Sequence, residues 1–266
     1  MRIVHTNEGA IAFVETGSAD ADRLVLFLHG FGGDHNNWGL LQADLPEHVR
    51  SIAIDLPGHG RSVKDVKSGS ARDIARIVSA FLDIIGAAKV DLVAHSFGAN
   101  VAAEVAAAAP DRIASLFVIA PPAFGAVADP GFVRGYLGAQ RKRDLKPVME
   151  MLFSDPGFVS RAIVNDALAV LRDDDARAAL TLIGNGLLGA RPGDAKVELA
   201  FLQRWPSVIV WGDADRIVPL PGTLAALAEG ALQIVAGAGH MPHAENVPAV
   251  AQLLRAHLEG AVRAVA

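Results

Sequence analysis

Residues 90–100 read Val90-Asp91-Leu92-Val93-Ala94-His95-Ser96-Phe97-Gly98-Ala99-Asn100. An apolar β-rich run, Val90–Ala94, enters a sharp turn and leaves at once into a helical stretch of small residues, Phe97–Ala109, closed by Pro110. This predicts Ser96 on a strained strand-to-helix turn, with its Oγ presented at the carboxyl edge of a sheet. Such a turn needs small residues two places to either side of the serine, because neighbouring backbone presses on them. Gly98 meets that need, and Ala94 departs from the G-x-S-x-G pattern by one methyl. Taken alone, the pattern also describes a serine that N-caps a helix. The rest of the chain has to decide.

Outward from this turn, short β-rich runs alternate with helical patterns. Leu24–Leu28 (LVLFL) is a continuous apolar run stopped by His29-Gly30, as expected of a strand buried on both faces. Ser51–Asp55, Ser115–Ala120, Ser207–Trp211 and Ala231–Val235 read the same way, and Ile11–Glu15 reads as a strand of an early hairpin. Ser70–Leu82 places Ile74, Ile77, Val78, Phe81 and Leu82 on one helical face, and a last helix is expected from Val247 to about Val262. The alternation predicts an α/β fold, a mostly parallel sheet flanked by helices. Residues 121–206 interrupt it with helical segments Pro147–Phe153, Phe158–Leu171 and Ala176–Leu188. The expected organisation is a core in two parts, 1–120 and 207–266, with a helical lid, 121–206, inserted between core strands.

Composition removes several function classes. The chain has 266 residues, 52% of them hydrophobic, and no cysteine, which excludes a disulfide scaffold, a thiolate nucleophile, a Cys-ligated zinc and an Fe–S cluster. Twenty-four Lys plus Arg against 29 Asp plus Glu give a net charge of −5, the wrong sign for a nucleic-acid partner. The first residues lack the apolar core of a signal peptide, and no apolar run approaches the ~18 residues of a membrane span. A cytoplasmic protein with no membrane partner is expected.

Three further stretches bear on chemistry. His29-Gly30-Phe31-Gly32-Gly33 follows a buried strand where glycine lets the chain turn and aim a backbone N–H inward. VIVWGDADRIVP sets Asp213 and Asp215 just past a strand, and QIVAGAGHMPHAE sets His240 in a Gly-rich turn after the last one. Ser, Asp and His thus occur in that order at carboxyl ends of strands, the edge where open α/β sheets carry their sites. His240 and His243 have no third ligand at metal spacing, so no metal is expected. The loop glycines fit neither phosphate-binding pattern, so no cofactor is expected either.

HGFGG (29–33), DLPGHGRS (55–62), AHSFGA (94–99), WGDADRIVP (211–219) and GAGHMPHAE (237–245) together resemble the α/β-hydrolase fold superfamily over essentially the whole chain. More narrowly, HGFGGDHNNW, DLPGHGRSVKDV, PDRIASLFVIAP and RDLKPVMEMLFSDP resemble the hydrolase-like domain of the dihydrolipoamide acetyltransferase component of acetoin dehydrogenase complexes. Unlike that component, the 266 residues hold no lipoyl domain with its lysine, so in acyl transfer the acyl group is expected to arrive on a separate lipoyl carrier or as a free thioester.

The resemblance implies Ser96 as nucleophile, His240 as general base and acid, and Asp215 as the group that orients His240, with Asp213 as its rival. It implies an oxyanion hole made by the backbone N–H groups of Phe31 and Phe97. His95 should point away from the pocket, and Asp55, Gly58, Gly60 and Ser62 should shape a nearby loop. In the lid, Tyr136, Met149, Met151 and Phe153 are candidate substrate-binding residues, with Phe124, Phe132 and Leu152 beside them. The cluster Arg134, Arg141, Lys142, Arg143 and Lys146 reads first as a solvated helix face, and otherwise as a docking patch for an anion. The expected function is a serine hydrolase acting through an acyl-enzyme on an ester, thioester or related carbonyl substrate. Two alternatives stand: an acyltransferase passing an acyl group from dihydrolipoamide to coenzyme A, and a non-catalytic, complex-bound or ligand-sensing module.

Overall fold

Strands β3 (Arg23–Leu28) and β5 (Val90–His95) lie side by side and parallel at the centre of the sheet, pairing Leu28 with Ala94. Every residue of β5 is buried, and so is β3 after Arg23, which is why both read as unbroken apolar runs. The computed structural model describes residues 1–122, 128–189, 204–222, 224 and 230–260. Among these, eight strands form one sheet in the order β1-β2-β4-β3-β5-β6-β7-β8. The others are β1 (Arg2–His5), β2 (Ala10–Thr16), β4 (Val49–Ile54), β6 (Ile113–Ile119), β7 (Ser207–Gly212) and β8 (Leu232–Val235). Only β2 pairs antiparallel, with β1 and with β4; the remaining pairs are parallel.

Helices cover the sheet. The chain continues through α1 (Gly39–Asp44), α2 (Ala71–Ile84) and α3 (Phe97–Ala108). Ser70 caps α2 by accepting the Asp73 N–H, and Ile74, Ile77, Val78, Phe81 and Leu82 form its buried face, as the spacing predicts. Ala99, Ala102, Ala103 and Ala106 are buried along α3, where small side chains let the helix lie close to the sheet.

Between β6 and β7 lie α4 (Pro130–Gly138), α5 (Lys142–Glu150), α6 (Arg161–Arg172) and α7 (Asp174–Gly189). Asp129 opens α4, accepting the Phe132 N–H with Pro130 at the first helical position. The segment expected to start at Pro147 begins instead at Lys142 and carries Pro147 inside it. Burial of Leu145 and Met149, four residues apart on one face, outweighs the missing proline N–H. These helices have a core of their own, with Tyr136, Leu145, Met149, Phe153, Val164, Leu168 and Leu180 packed around Met241 from the far end of the chain. A short α8 (Pro242–Glu245) and then α9 (Val247–Leu258) complete the described chain. This last helix stops short of the end expected near Val262: Glu259 caps it and Gly260 follows at φ 76°. Phe124 lies outside the described residues.

Candidate active site

Ser96 joins β5 to α3 with φ 50° and ψ −121°, a conformation that non-glycine residues rarely adopt. The strain is held from all sides. The Ser96 N–H donates to the Ile119 carbonyl at 2.9 Å, and the Ala99 N–H donates back to the Ser96 carbonyl at 2.9 Å. Behind the turn, Gly98 lies against the end of β3, and Gly30 packs so closely that a Cβ there would stand 3.2 Å from the Ser96 Cβ. Ala94 is fully buried in the sheet, so its extra methyl is accommodated.

The turns after β7 and β8 are laced together. The Ala214 N–H donates to the Ala238 carbonyl at 2.9 Å, and the buried Trp211 indole N–H donates to the Val218 carbonyl at 2.8 Å. Asp215 Oδ1 accepts the N–H groups of Ile217 (2.8 Å) and Val218 (2.9 Å), which leaves Oδ2 facing His240 Nδ1 at 2.8 Å. Both side chains of that pair are buried. Asp213 is exposed and accepts the Gly237 N–H at 2.7 Å instead. Of the two aspartates, only Asp215 meets the histidine.

His95 ties these turns to the serine. Its Nε2–H donates to the His240 carbonyl at 2.9 Å, and the two rings lie 4.7 Å apart between centroids. Burial, reinforced by repulsion from His243 and His240, holds His95 well below the usual histidine range, so it stays neutral. Ser96 Oγ and His240 Nε2 make no hydrogen bond here; such pairs are often long or poorly aligned without substrate.

The loop after β3 supplies the opposite wall. As the first residue of α3, Phe97 has an N–H that its own helix leaves without an acceptor. Beyond Phe31, the Gly32 N–H donates to His59 Nε2 at 3.1 Å and the Gly33 N–H to the Gly30 carbonyl at 3.1 Å. His59 Nδ1–H donates to the Pro57 carbonyl at 3.2 Å, which fixes the tautomer that lets Nε2 accept. Asp55 is the post of the next loop. Burial raises its pKa, but the N–H groups of Arg61 and His35 and the His35 ring outweigh that and hold it low. Gly60, at φ 45°, passes so near that a Cβ would fall on the Asp55 carboxylate.

The candidate substrate-binding side chains are buried or partly buried. Tyr136 is buried, its ring edge-on to Phe31 at 5.5 Å and packed on Gly32, and burial pushes its hydroxyl pKa up, so it remains a neutral donor. Met149 and Phe153 are buried in the packing of the inserted helices, and the partly buried Met151 rests on the main core. In the basic cluster, Arg141 and Arg143 each lie 3.7 Å from Asp144, and Lys146 pairs with Glu150, which makes α5 an exposed face of mixed charge.

A family model described as alpha/beta hydrolase fold matches residues 23–247. The chain belongs to the α/β-hydrolase fold family. Within it, this α/β hydrolase is 37% identical over 237 residues to a protein of Cupriavidus necator named as the dihydrolipoyllysine-residue acetyltransferase component of an acetoin cleaving system. It is 35% identical over 250 residues to a protein of the same name from Pseudomonas putida. The matches cover 89% and 93% of this chain but only 63% and 66% of those relatives' length. Its fold superposes on a serine hydrolase of Cycloclasticus zankles with a TM-score of 0.83 at 20% identity, covering 98% of each chain. Among the described residues no group of His, Asp or Glu could hold a metal ion, and no helix is long and apolar enough to cross a membrane.

Proposed function

We propose that this α/β hydrolase is a serine hydrolase that works through an acyl-enzyme on an ester, thioester or related carbonyl substrate. The observation that carries the reading is the His240–Asp215 pair, buried and 2.8 Å across, beside a serine strained to φ 50° at the carboxyl edge of the sheet.

In this mechanism Ser96 Oγ attacks the substrate carbonyl carbon while His240 Nε2 takes its proton. Asp215 keeps the His240 proton on Nδ1 and stabilises the imidazolium that forms. The carbonyl oxygen, now negative, receives hydrogen bonds from the Phe31 and Phe97 N–H groups; losing one such donor typically costs about 10²–10³ in rate. His240 then protonates the leaving alcohol or thiol, and a water activated by the same ring releases the acid. The helices between β6 and β7 act as the lid over this site. A fluorophosphonate tests the reading directly: it should label the wild-type protein and spare Ser96→Ala. Equal labelling of the two would move the nucleophile elsewhere.

A second reading is acyl transfer, with coenzyme A in place of water. The identity of 37% and 35% to acetyltransferase components favours it. Support for hydrolysis as the first reading is that the same residues act on either acceptor and water needs no further site.

A further inference from the structure

The inserted segment meets the turns of Asp215 and His240 at the start of α4, where the Asp129 N–H donates to the Ile217 carbonyl at 2.7 Å, and more extensively at the end of α5. Arg216, next to Asp215, donates through Nη2 to the carbonyls of Glu150 (2.9 Å) and Phe153 (2.8 Å). Glu245, at the end of the turn that carries His240, grips the same segment. Its Oε1 accepts the Gly239 N–H at 2.7 Å, while its Oε2 accepts the N–H (2.7 Å) and the hydroxyl (2.6 Å) of Ser154. The two segments touch backbone to backbone: a Cβ on Gly239 would stand 2.7 Å from the Ser154 nitrogen and 2.8 Å from the Phe153 carbonyl carbon. On the other side of His240, Met241 is buried among Tyr136, Met149 and Phe153. Both neighbours of His240 are therefore held by the inserted helices.

We infer that Glu245 is a positioning residue whose carboxylate, bridging Gly239 to Ser154, makes the seating of α5 set the place of the His240 ring. The inference rests on the serine-hydrolase reading above. An ionised carboxylate suits the position because all three of its partners are donors and it only accepts. Glutamine offers one oxygen and one NH₂, and that NH₂ would face an N–H head-on, so one side of the bridge must open. Aspartate keeps the charge but reaches less far.

The test compares kcat, KM and the rate of fluorophosphonate labelling in Glu245→Gln, Glu245→Asp and Ser154→Ala. In Glu245→Gln, kcat should fall about 10–100-fold with KM unchanged, the scale of a small misplacement of a catalytic group. Labelling should slow by the same factor, because His240 activates Ser96 in both reactions. Glu245→Asp should recover part of both rates. A purely architectural Glu245 would lower Tm and leave the rates per folded molecule unchanged. A fall in Glu245→Gln smaller than about threefold overturns the inference. If that variant does not fold, Ser154→Ala decides: loss of its hydroxyl should slow both rates at least about threefold, and a smaller effect overturns the inference. Ser96→Ala and His240→Ala run alongside. Full labelling or turnover in those two would sink the hydrolase reading itself, whereas wild-type rates in the Glu245 and Ser154 variants alone would sink only the role of Glu245.

Discussion

Gly98 lies so close beneath Leu28 that a Cβ on it would stand 2.3 Å from the Leu28 carbonyl oxygen, and 2.5 Å from that of His29. Both obstacles are backbone of the central strand and its exit, so neither can step aside. The start of α3 can approach β3 only because residue 98 has no side chain.

Gly98→Ala should therefore push α3 away from β3 and carry the Phe97 N–H and Ser96 with it. Overpacking of this kind costs about 1–3 kcal/mol, and the displaced turn should also slow turnover. Gly39→Ala is the control, since nothing lies within 4 Å of a Cβ built there. Urea unfolding midpoints should separate the two variants; equal midpoints would show that the close approach relaxes freely.

The two aspartates after β7 should differ sharply in function. Asp215→Asn puts an amide against His240 Nδ1 and favours the wrong tautomer, for a loss of about 10⁴ in kcat. Asp213→Asn changes only the exposed contact to the Gly237 N–H and should cost far less. Steady-state kinetics on one activated ester ranks them, and the reverse ranking would transfer the role to Asp213.

Acid should destabilise the fold through its buried histidines. Burial lowers His257 to about 4, with Asp91 opposing and Arg23 adding to the shift, and lowers His59 and His243 to about 3. His257 Nε2–H donates to Ser115 Oγ at 2.8 Å, Ser115 donates to Asp91, and the His257 Nδ1 has no partner among the described residues. The unfolded chain binds these protons near pH 6.5 and the folded chain does not. Stability is thus full above about 6.5 and falls as pH drops toward 4, each histidine contributing up to about 1.4 kcal/mol per pH unit. Urea midpoints at pH 7.5, 6 and 5 should fall in that order, and His257→Gln should flatten the slope. Equal midpoints would contradict neutral burial of these rings.

Hydrolysis and acyl transfer separate by product. With a small acyl thioester and rising coenzyme A, a hydrolase yields free acid throughout, and that is the expected result. Acyl-coenzyme A as the main product would make transfer the reaction. In that event, reversing Arg141, Lys142 and Arg143 together should remove the benefit of coenzyme A and leave simple ester hydrolysis intact. The benefit should also weaken with salt, as contacts between exposed charges do.

The sequence by itself determined the elements and the kinds of groups at their ends. Burial on both faces writes a strand as an unbroken apolar run, so β3 and β5 were legible from Leu24–Leu28 and Val90–Ala94. A one-sided helix writes its period, so α2 was legible from Ile74, Ile77, Val78, Phe81 and Leu82. Ser96 was legible at its turn because the strand, the serine and the helix that follows it are consecutive in the chain. The tertiary structure alone decided which groups meet. From the residues themselves Asp213 and Asp215 are equivalent acids in one turn, and the packing of the β8 turn against the β7 turn brings His240 to Asp215. Tyr136, Met149 and Phe153 carry no mark that separates a pocket wall from packing between helices; their burial depends on how four helices settle together. Glu245 and Ser154 stand 91 residues apart, and His257 and Ser115 stand 142 apart. Local propensity reaches only a few residues, whereas such contacts depend on chain closure and close packing of the whole domain.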